Sequence, residues 1–377
     1  MPAAFAIRDG MNGIEEAPGK TWFWELERAV IDNGRCIQCG ACVAACPSDS
    51  LAIGPDDLPK LVKMCTGCSL CWDFCPRGGL RYEATWKLNG GERRRDGIAG
   101  AQQRFTGRAK PWLSGVQDGG VVSALLIAML EAGELDGALL AKPSEREPWK
   151  GIAHLARTPE DVLACAGSFY NQTLALGHLD LKKHDLPPNP RIALVGTPCE
   201  IQGLRAMQAR PWHWGASQID AVVLTIALLC TKSFDYEGLM LREIQAKRGI
   251  PLADLDKIDI IRGKLYLYGR DDELLLEEPI RDFHGAALKG CDECADFLGH
   301  AADLSVGSVG SADGWSSVLV WTDAGRSAFD VARDRLEIRD LDKPQSIEKL
   351  DALDKRIAFD NLRRRFDPDA PLFIDYE

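Results

Sequence analysis

Eight cysteines in two runs carry the first recognisable chemistry of this 377-residue chain. The first run reads Cys36-x2-Cys39-x2-Cys42-x3-Cys46-Pro47 and the second Cys65-x2-Cys68-x2-Cys71-x3-Cys75-Pro76. Three thiolates two residues apart can fold round one corner of an iron–sulfur cube, and a fourth followed by proline reaches across to a second cube. Disulfide frameworks suit short secreted scaffolds, and zinc sites close with paired CxxC ligands rather than two runs of four. The doubled spacing points to two 4Fe-4S clusters and to one-electron chemistry.

The doubled run resembles the two-cluster bacterial ferredoxin. On that pattern Cys36, Cys39, Cys42 and Cys75 hold one cluster, and Cys65, Cys68, Cys71 and Cys46 hold the other. Five cysteines remain: Cys165, Cys199, Cys230, Cys291 and Cys294. Cys165 lies in an apparent helix and reads as core. Cys199 and Cys230 each follow an apolar strand, and Cys291-Asp-Glu-Cys294 is a CxxC pair. Those four thiols fit a third 4Fe-4S site or, equally, buried structural thiols.

Several elements must position these groups. Residues 1–34 form a leader with a helix around Lys20 to Ile31 that packs on the cysteine unit of 35–85. There Leu51-Ala-Ile53 and Leu80-Arg-Tyr82 read as short strands. A polar, glycine-rich stretch at Asn89–Gly97 marks a linker, taken as 86–110. A mixed α/β domain spans 111–343, and a C-terminal amphipathic helix and tail span 344–377. The helix, Pro344 to Phe366, carries Ile347, Leu350, Leu353, Ile357 and Leu362 on roughly one face. Within the α/β domain a helix starts at Gly119-Gly120, Thr158-Pro159 caps another, and Lys257–Tyr268 forms a hairpin turned at Gly263. Strands are expected at 137–141, 191–195, 221–229, 302–307 and 317–322.

Composition sets limits. Charged residues at 27% and hydrophobic ones at 46% describe a globular protein, and the formal charge of -11 argues against general nucleic-acid binding. No apolar run approaches the roughly 18 residues of a membrane span; the longest, Val121 to Leu130, runs into Glu131. The N-terminus lacks a basic start and an apolar core, so no secretory signal is expected. Thirteen cysteines without one imply a reducing cytoplasm, with any membrane attachment made through a partner subunit.

The body of the chain resembles the beta subunits of coenzyme F420 hydrogenases and dehydrogenases. The matching stretches are Gln117 to Leu125, Val162 to Tyr170, Val195 to Leu204, Cys230 to Gly238, Gly290 to Asp296 and Ala302 to Ser316, in the family's order. Most similar, given the fused ferredoxin, is the electron-input subunit of F420H2 dehydrogenase complexes. The resemblance implies an FAD-binding α/β domain that exchanges hydride with coenzyme F420. It also implies a cluster at Cys199, Cys230, Cys291 and Cys294, and a larger redox complex as partner. A flavin suits the task because it takes two electrons together and releases them singly.

Glycine loops and a helix start that could approach the flavin pyrophosphate lie at Gln117, Asp118, Gly119, Gly120 and Ser123, with Ser168 nearby. Gly196-Thr197-Pro198 and Gly307-Ser308-Val309-Gly310-Ser311 are two further loops of this kind. Trp315 could wall the ring or fill the core. Lys232, Arg262, Lys264 and Lys289 are candidates for the acidic tail of the deazaflavin. No catalytic acid, nucleophile or triad is expected, and His178, His284 and His300 read as structural. A ferredoxin-dependent reductase of a tetrapyrrole-type substrate, or an electron-transfer module without a substrate site, are the alternatives.

Overall fold

The computed structural model describes residues 21–79, 97–209 and 214–362. The strand expected at Leu80–Tyr82 and nearly all of the arginine-rich Asn89–Gly97 stretch lie outside these residues. In the cysteine unit, a helical turn Phe23–Leu26 runs on as a wider π turn, Glu27–Ile31. Its apolar side, Phe23, Leu26, Ala29 and Val30, is buried with Cys42, Cys46, Cys71 and Trp72. The two cysteine runs fold alike. Each has a short helix, Ala41–Ala44 or Leu70–Asp73, entered through a left-handed residue, Gly40 (φ 78°) or Ser69 (φ 69°). That kink reverses the chain between the second and third thiols of each run. Strands β1 (Leu51–Ile53) and β2 (Pro59–Leu61) pair antiparallel beneath them.

The body begins with β3 (Gln103–Ala109), inside the stretch read from the sequence as a linker. Two exposed polar residues at its start and Gly107 hide the strand's alternation, but neighbours on both sides bury Phe105, Thr106 and Ala109. The helix Val121–Glu131 leads to β4 (Gly137–Pro143) and β5 (Gly151–Ala156). Next come the helix Pro159–Ala164, β6 (Ile192–Gly196), the helix Pro198–Gln208 and β7 (Val222–Leu228). Strands β8 (Lys257–Ile261), β9 (Lys264–Tyr268) and β10 (Leu274–Pro279) make a separate antiparallel sheet. Arg262 and Gly263 both have positive φ, the two-residue turn that a right-twisted hairpin favours. The chain closes with β11 (Leu304–Gly307), β12 (Ser316–Val320), the helix Asp323–Ala332, β13 (Leu336–Arg339) and the helix Pro344–Leu362.

Eight strands form one mixed sheet in the order β13-β3-β12-β11-β7-β6-β4-β5. Strands β11, β7, β6 and β4 are mutually parallel, and β3 runs the same way because two antiparallel pairings separate it from β11. Their C-terminal ends therefore open on one edge, where ligands bind in sheets of this kind. One face of the sheet is covered by Val121–Glu131 and Asp323–Ala332, through Leu125, Leu126, Ala328 and Phe329. Cys165 is buried in that core, as expected.

The other face carries the cysteine unit. Ile37, Ala41, Leu70 and Phe74 share a core with Leu176, Ile201, Leu204, Met207 and Trp214 of the body. The rings of Phe74 and Trp214 meet edge to face with centroids 5.2 Å apart. Three glycines let the backbones approach: a Cβ on Gly40, Gly203 or Gly290 would press on Gly177, Ala41 or Arg35 of the opposing piece. The cysteine unit is thus packed into the body along its length. The C-terminal helix turns inward the face made by Ile347, Asp351, Asp354 and Ala358, while Leu353 is exposed. Of the apolar face read from the sequence, Ile347 and Leu350 pack on Ile98, Phe297 and Leu298, and further along the helix lies over the polar turn Lys289–Glu293. Among the described residues no helix is long and apolar enough to cross a membrane.

Candidate redox site

Twelve of the thirteen cysteines fall into three groups of four. Burial pushes most of these thiols up, and where sulfurs lie close together their repulsion adds to it. Cys36 is pushed up to about 12 by burial, with Cys75 adding to the effect. Cys42 is raised by burial and then by Cys36 and Cys75. Cys71 is raised by burial and then, within its own group, by Cys68, Cys65 and Cys46. Cys230 is raised by burial and then by Cys291, Cys199 and Cys294. Two pairs link the groups: Cys39 and Cys199 are buried in one apolar core, and Cys42 and Cys71 in another. The Cys36 group therefore adjoins both of the others.

Among the described residues, no three His, Cys, Asp or Glu side chains close on a single-ion position. Four sulfurs to a group match the four irons of a cube, each of which takes one thiolate. A recess lies among Cys46, Cys65, Cys68 and Cys71, walled by Phe23 and Leu51. The sulfur donor set, the recess and the apolar wall fit a four-iron cluster. The Cys199 group is built from the sheet edge. Cys199 sits in the first turn of the helix after β6, Cys230 lies just past β7, and Cys291 and Cys294 span a short 3₁₀ turn.

Polar groups surround these sulfurs. The Thr197 hydroxyl lies 3.1 Å from Cys199 Sγ, and Gln172 Nε2 donates to Thr197 Oγ1 at 3.2 Å and to Ser233 Oγ at 2.7 Å. The Ser233 amide donates to Cys291 Sγ at 3.5 Å. Glu200 closes a capping box with Thr197, accepting from its amide at 2.8 Å, and burial pushes its carboxyl up to about 7. Burial also works to raise Asp296, yet hydrogen bonds from His300 and Gln202 hold it well below the usual carboxylate range.

The flavin candidates gather on the same edge with different degrees of freedom. Gly120 (φ 68°) opens the helix Val121–Glu131, which no side chain caps, so the amides of its first turn, Ser123 included, lack a helix partner. The Gly119 amide donates to Ser316 Oγ at 3.1 Å, and the Gly107 carbonyl excludes any side chain there. The Gln117 side-chain Nε2 donates to the Ile258 carbonyl at 3.1 Å and to Asp259, tying the loop to the β8 hairpin. Burial, reinforced by Asp259 and Asp313, pushes Asp118 up to about 6. Gly196, Thr197 and Pro198 start the helix that carries Cys199, and Gly307 and Ser308 leave the end of β11.

Three candidates are already engaged. Ser311 Oγ bonds Thr106 at 3.0 Å and Ser317 at 2.7 Å. Gly310 faces Ile347. Trp315 is buried between two guanidinium groups, Arg108 at 4.5 Å and Arg339 at 3.9 Å from its ring centre. Ser168 lines a separate aromatic recess with Trp149, Phe169, Tyr170, Phe234 and Tyr236. Of the basic candidates, Lys232 pairs with Asp292 beside Cys291, and Lys264 pairs with Glu277. Arg262 is exposed at the hairpin tip, and the exposed Lys289 lays its stem over Gly34.

Arg77, Arg35 and Glu293 escaped the sequence reading. Arg35 and Glu293 make a bidentate pair at 2.6 and 2.8 Å, and Arg77 donates to the Gly290 carbonyl. The only local signal was a basic residue directly after Cys75-Pro76.

A cysteine-rich electron-transfer unit packed on a mixed α/β body, with a further four-thiol group at the sheet edge, defines an iron–sulfur oxidoreductase component. Family models match in the same places: a 4Fe-4S dicluster domain over 29–81, and the N-terminal and C-terminal parts of the coenzyme F420 hydrogenase/dehydrogenase beta subunit over 104–180 and 189–344. The chain belongs to the family of coenzyme F420 hydrogenase/dehydrogenase beta subunits. It is 31% identical to a component of the F(420)H(2) dehydrogenase of Methanosarcina mazei, covering 84% of this chain and 87% of that one. It is 32% identical to the coenzyme F420-dependent sulfite reductase of Methanocaldococcus jannaschii over 91% of this chain, and spans only 52% of that relative's length. A chain of the F420-reducing [NiFe] hydrogenase complex from Methanosarcina barkeri superposes with a TM-score of 0.65 and 26% identity, covering 70% of this chain and 92% of that one.

Proposed function

We propose that this chain is the FAD-containing, iron–sulfur subunit that exchanges hydride with coenzyme F420 and relays single electrons to or from a partner redox complex. FAD, when bound, supplies the conversion between hydride and single-electron chemistry. The residues proposed to hold it are the loop Gln117–Gly120 with the uncapped helix start through Ser123, Gly196–Pro198 and Gly307–Ser308. An uncapped helix N-terminus favours a pyrophosphate. Lys232, beside Cys291, is the basic candidate best placed for the deazaflavin's acidic tail.

The ligand sets proposed are Cys199, Cys230, Cys291 and Cys294 for the cluster nearest the flavin, then Cys36, Cys39, Cys42 and Cys75, then Cys46, Cys65, Cys68 and Cys71. The observation that supports this order is shared burial, of Cys39 with Cys199 in one core and of Cys42 with Cys71 in another. The first links the sheet edge to the cysteine unit, and the second leads away from it. The partner is expected at the last group, in the cytoplasm, with any membrane contact made by the partner.

Anaerobically purified protein should contain about twelve irons per chain, three four-iron clusters, and one FAD. Mixing with reduced coenzyme F420 should bleach the flavin. Protein with full iron but no flavin would favour a simple electron-transfer module. Flavin that does not bleach would favour a reductase of another substrate.

A further inference from the structure

Arg77 is 3% exposed, and a buried cation without a counter-charge costs several kcal/mol. Among the described residues no carboxylate closes an ion pair with it. Its hydrogen bonds go to the carbonyls of Gly290 and, at 2.7 Å, Pro76, and to the Cys294 sulfur. Glu293, the one carboxylate that acts on it strongly, is already held in a bidentate pair by Arg35.

The groups able to offset that charge are sulfurs. Cys294, Cys199 and Cys291 act on Arg77 from the sheet edge, and Arg77 acts on Cys36 and Cys75 of the cysteine unit. Buried thiols without metal stay protonated and would leave Arg77 uncompensated, whereas cluster ligands are thiolates. Position in the chain gives the same placement. Arg77 lies two residues after Cys75, and its guanidinium bonds the carbonyl immediately before Cys291. It occupies the junction between the first and second groups of the proposed row.

We infer that Arg77 is a positioning residue for electron transfer whose fixed charge, lodged between the Cys199 and Cys36 groups, raises the reduction potentials of both clusters. This inference rests on the cluster assignment proposed above. Each cluster takes one electron, which adds a negative charge to an already anionic group. A cation in a low-dielectric junction favours that step, and the effect falls off with distance. The Cys46 group, at the far end of the row, should feel it least. The junction clusters would then hold electrons until the outer cluster meets an acceptor.

The test is an anaerobic redox titration followed by electron paramagnetic resonance on the full-length wild type, Arg77→Gln and Arg77→Lys. In Arg77→Gln two midpoints should move to more negative potential while the third stays, with iron content unchanged. In Arg77→Lys all three should stay near wild type. Full iron with no midpoint moved, or all three moved equally, overturns the inference. If Arg77→Gln loses iron, Arg77→Lys decides: restored iron and potentials assign the role to charge, and continued loss assigns Arg77 to structure alone and ends the proposal. Wild-type protein with only two clusters would instead refute the third-cluster assignment, a failure visible before any variant is made.

Discussion

Gly290 is the point at which the Cys291–Cys294 turn meets the cysteine unit, and Gly290→Ala tests that junction by steric means alone. A Cβ at this position would fall inside the van der Waals envelope of the Arg35 carbonyl oxygen and 2.8 Å from Ile37 Cγ2. The oxygen belongs to backbone and cannot swing aside, so the turn must withdraw. Overpacking of this kind costs about 1–3 kcal/mol. Withdrawal also misaligns the charged hydrogen bond from Arg77 to the Gly290 carbonyl, worth about 1.5–3 kcal/mol. Stiffening of the unfolded chain returns about 0.4–1 kcal/mol, leaving a net loss of about 2–5 kcal/mol. Gly285→Ala is the matched control, because a Cβ there meets nothing within 4 Å. Anaerobic denaturant titrations followed by tryptophan fluorescence and by the iron–sulfur chromophore should give a lower midpoint for Gly290→Ala and an unchanged one for Gly285→Ala. Coincident curves for both variants and the wild type would refute the close approach of these two backbones.

Three further outcomes follow from the same geometry. Glu293→Leu should destabilise by about 1.5–3 kcal/mol because it removes the charged hydrogen bonds of the bidentate pair with the half-buried Arg35, and adding Arg35→Met should recover much of the loss in the same titrations. Cys199→Ser should remove about four irons per chain while Cys165→Ser removes none; equal iron in the two would contradict the grouping of sulfurs. Asp354 is pushed up to about 7, first by burial and then by Asp351 and Asp292, with Lys232 opposing. Its folded value lies above its unfolded one, so its contribution to stability is full below about pH 4 and is lost as pH rises through about 7. Asp354→Asn should therefore gain thermal stability over wild type at pH 8 relative to pH 5, and a difference independent of pH would count against a buried carboxyl there.

Much of the chemistry was legible before any fold was known. Three of the thiols of each ferredoxin cluster come from one short loop, so their geometry is local, and local geometry is written in spacing. The helices at Val121 and Pro159 and the β8–β9 hairpin were legible for the same reason: capping, proline placement and turn dihedrals act over a few residues. Strand β3 was not, because its burial comes from β12 and β13, more than two hundred residues further along the chain. The inward face of the C-terminal helix was legible at Ile347 and Leu350, which meet an apolar cluster, but not further along, where Asp351 and Asp354 turn inward over a polar turn.

By itself the sequence determined that this protein binds clusters and that a family-like α/β body follows them. Tertiary structure decided which thiols stand together beyond the first eight, since Cys199, Cys230 and the Cys291–Cys294 pair meet only because parallel strands end on one edge. It also decided the order of the groups, because Cys39 meets Cys199 through a shared apolar core that no spacing records. Arg77 marks the division between the two. In sequence it is one more basic residue after a proline; in the fold, burial between two groups of sulfurs makes its charge count, because low dielectric magnifies what water would screen.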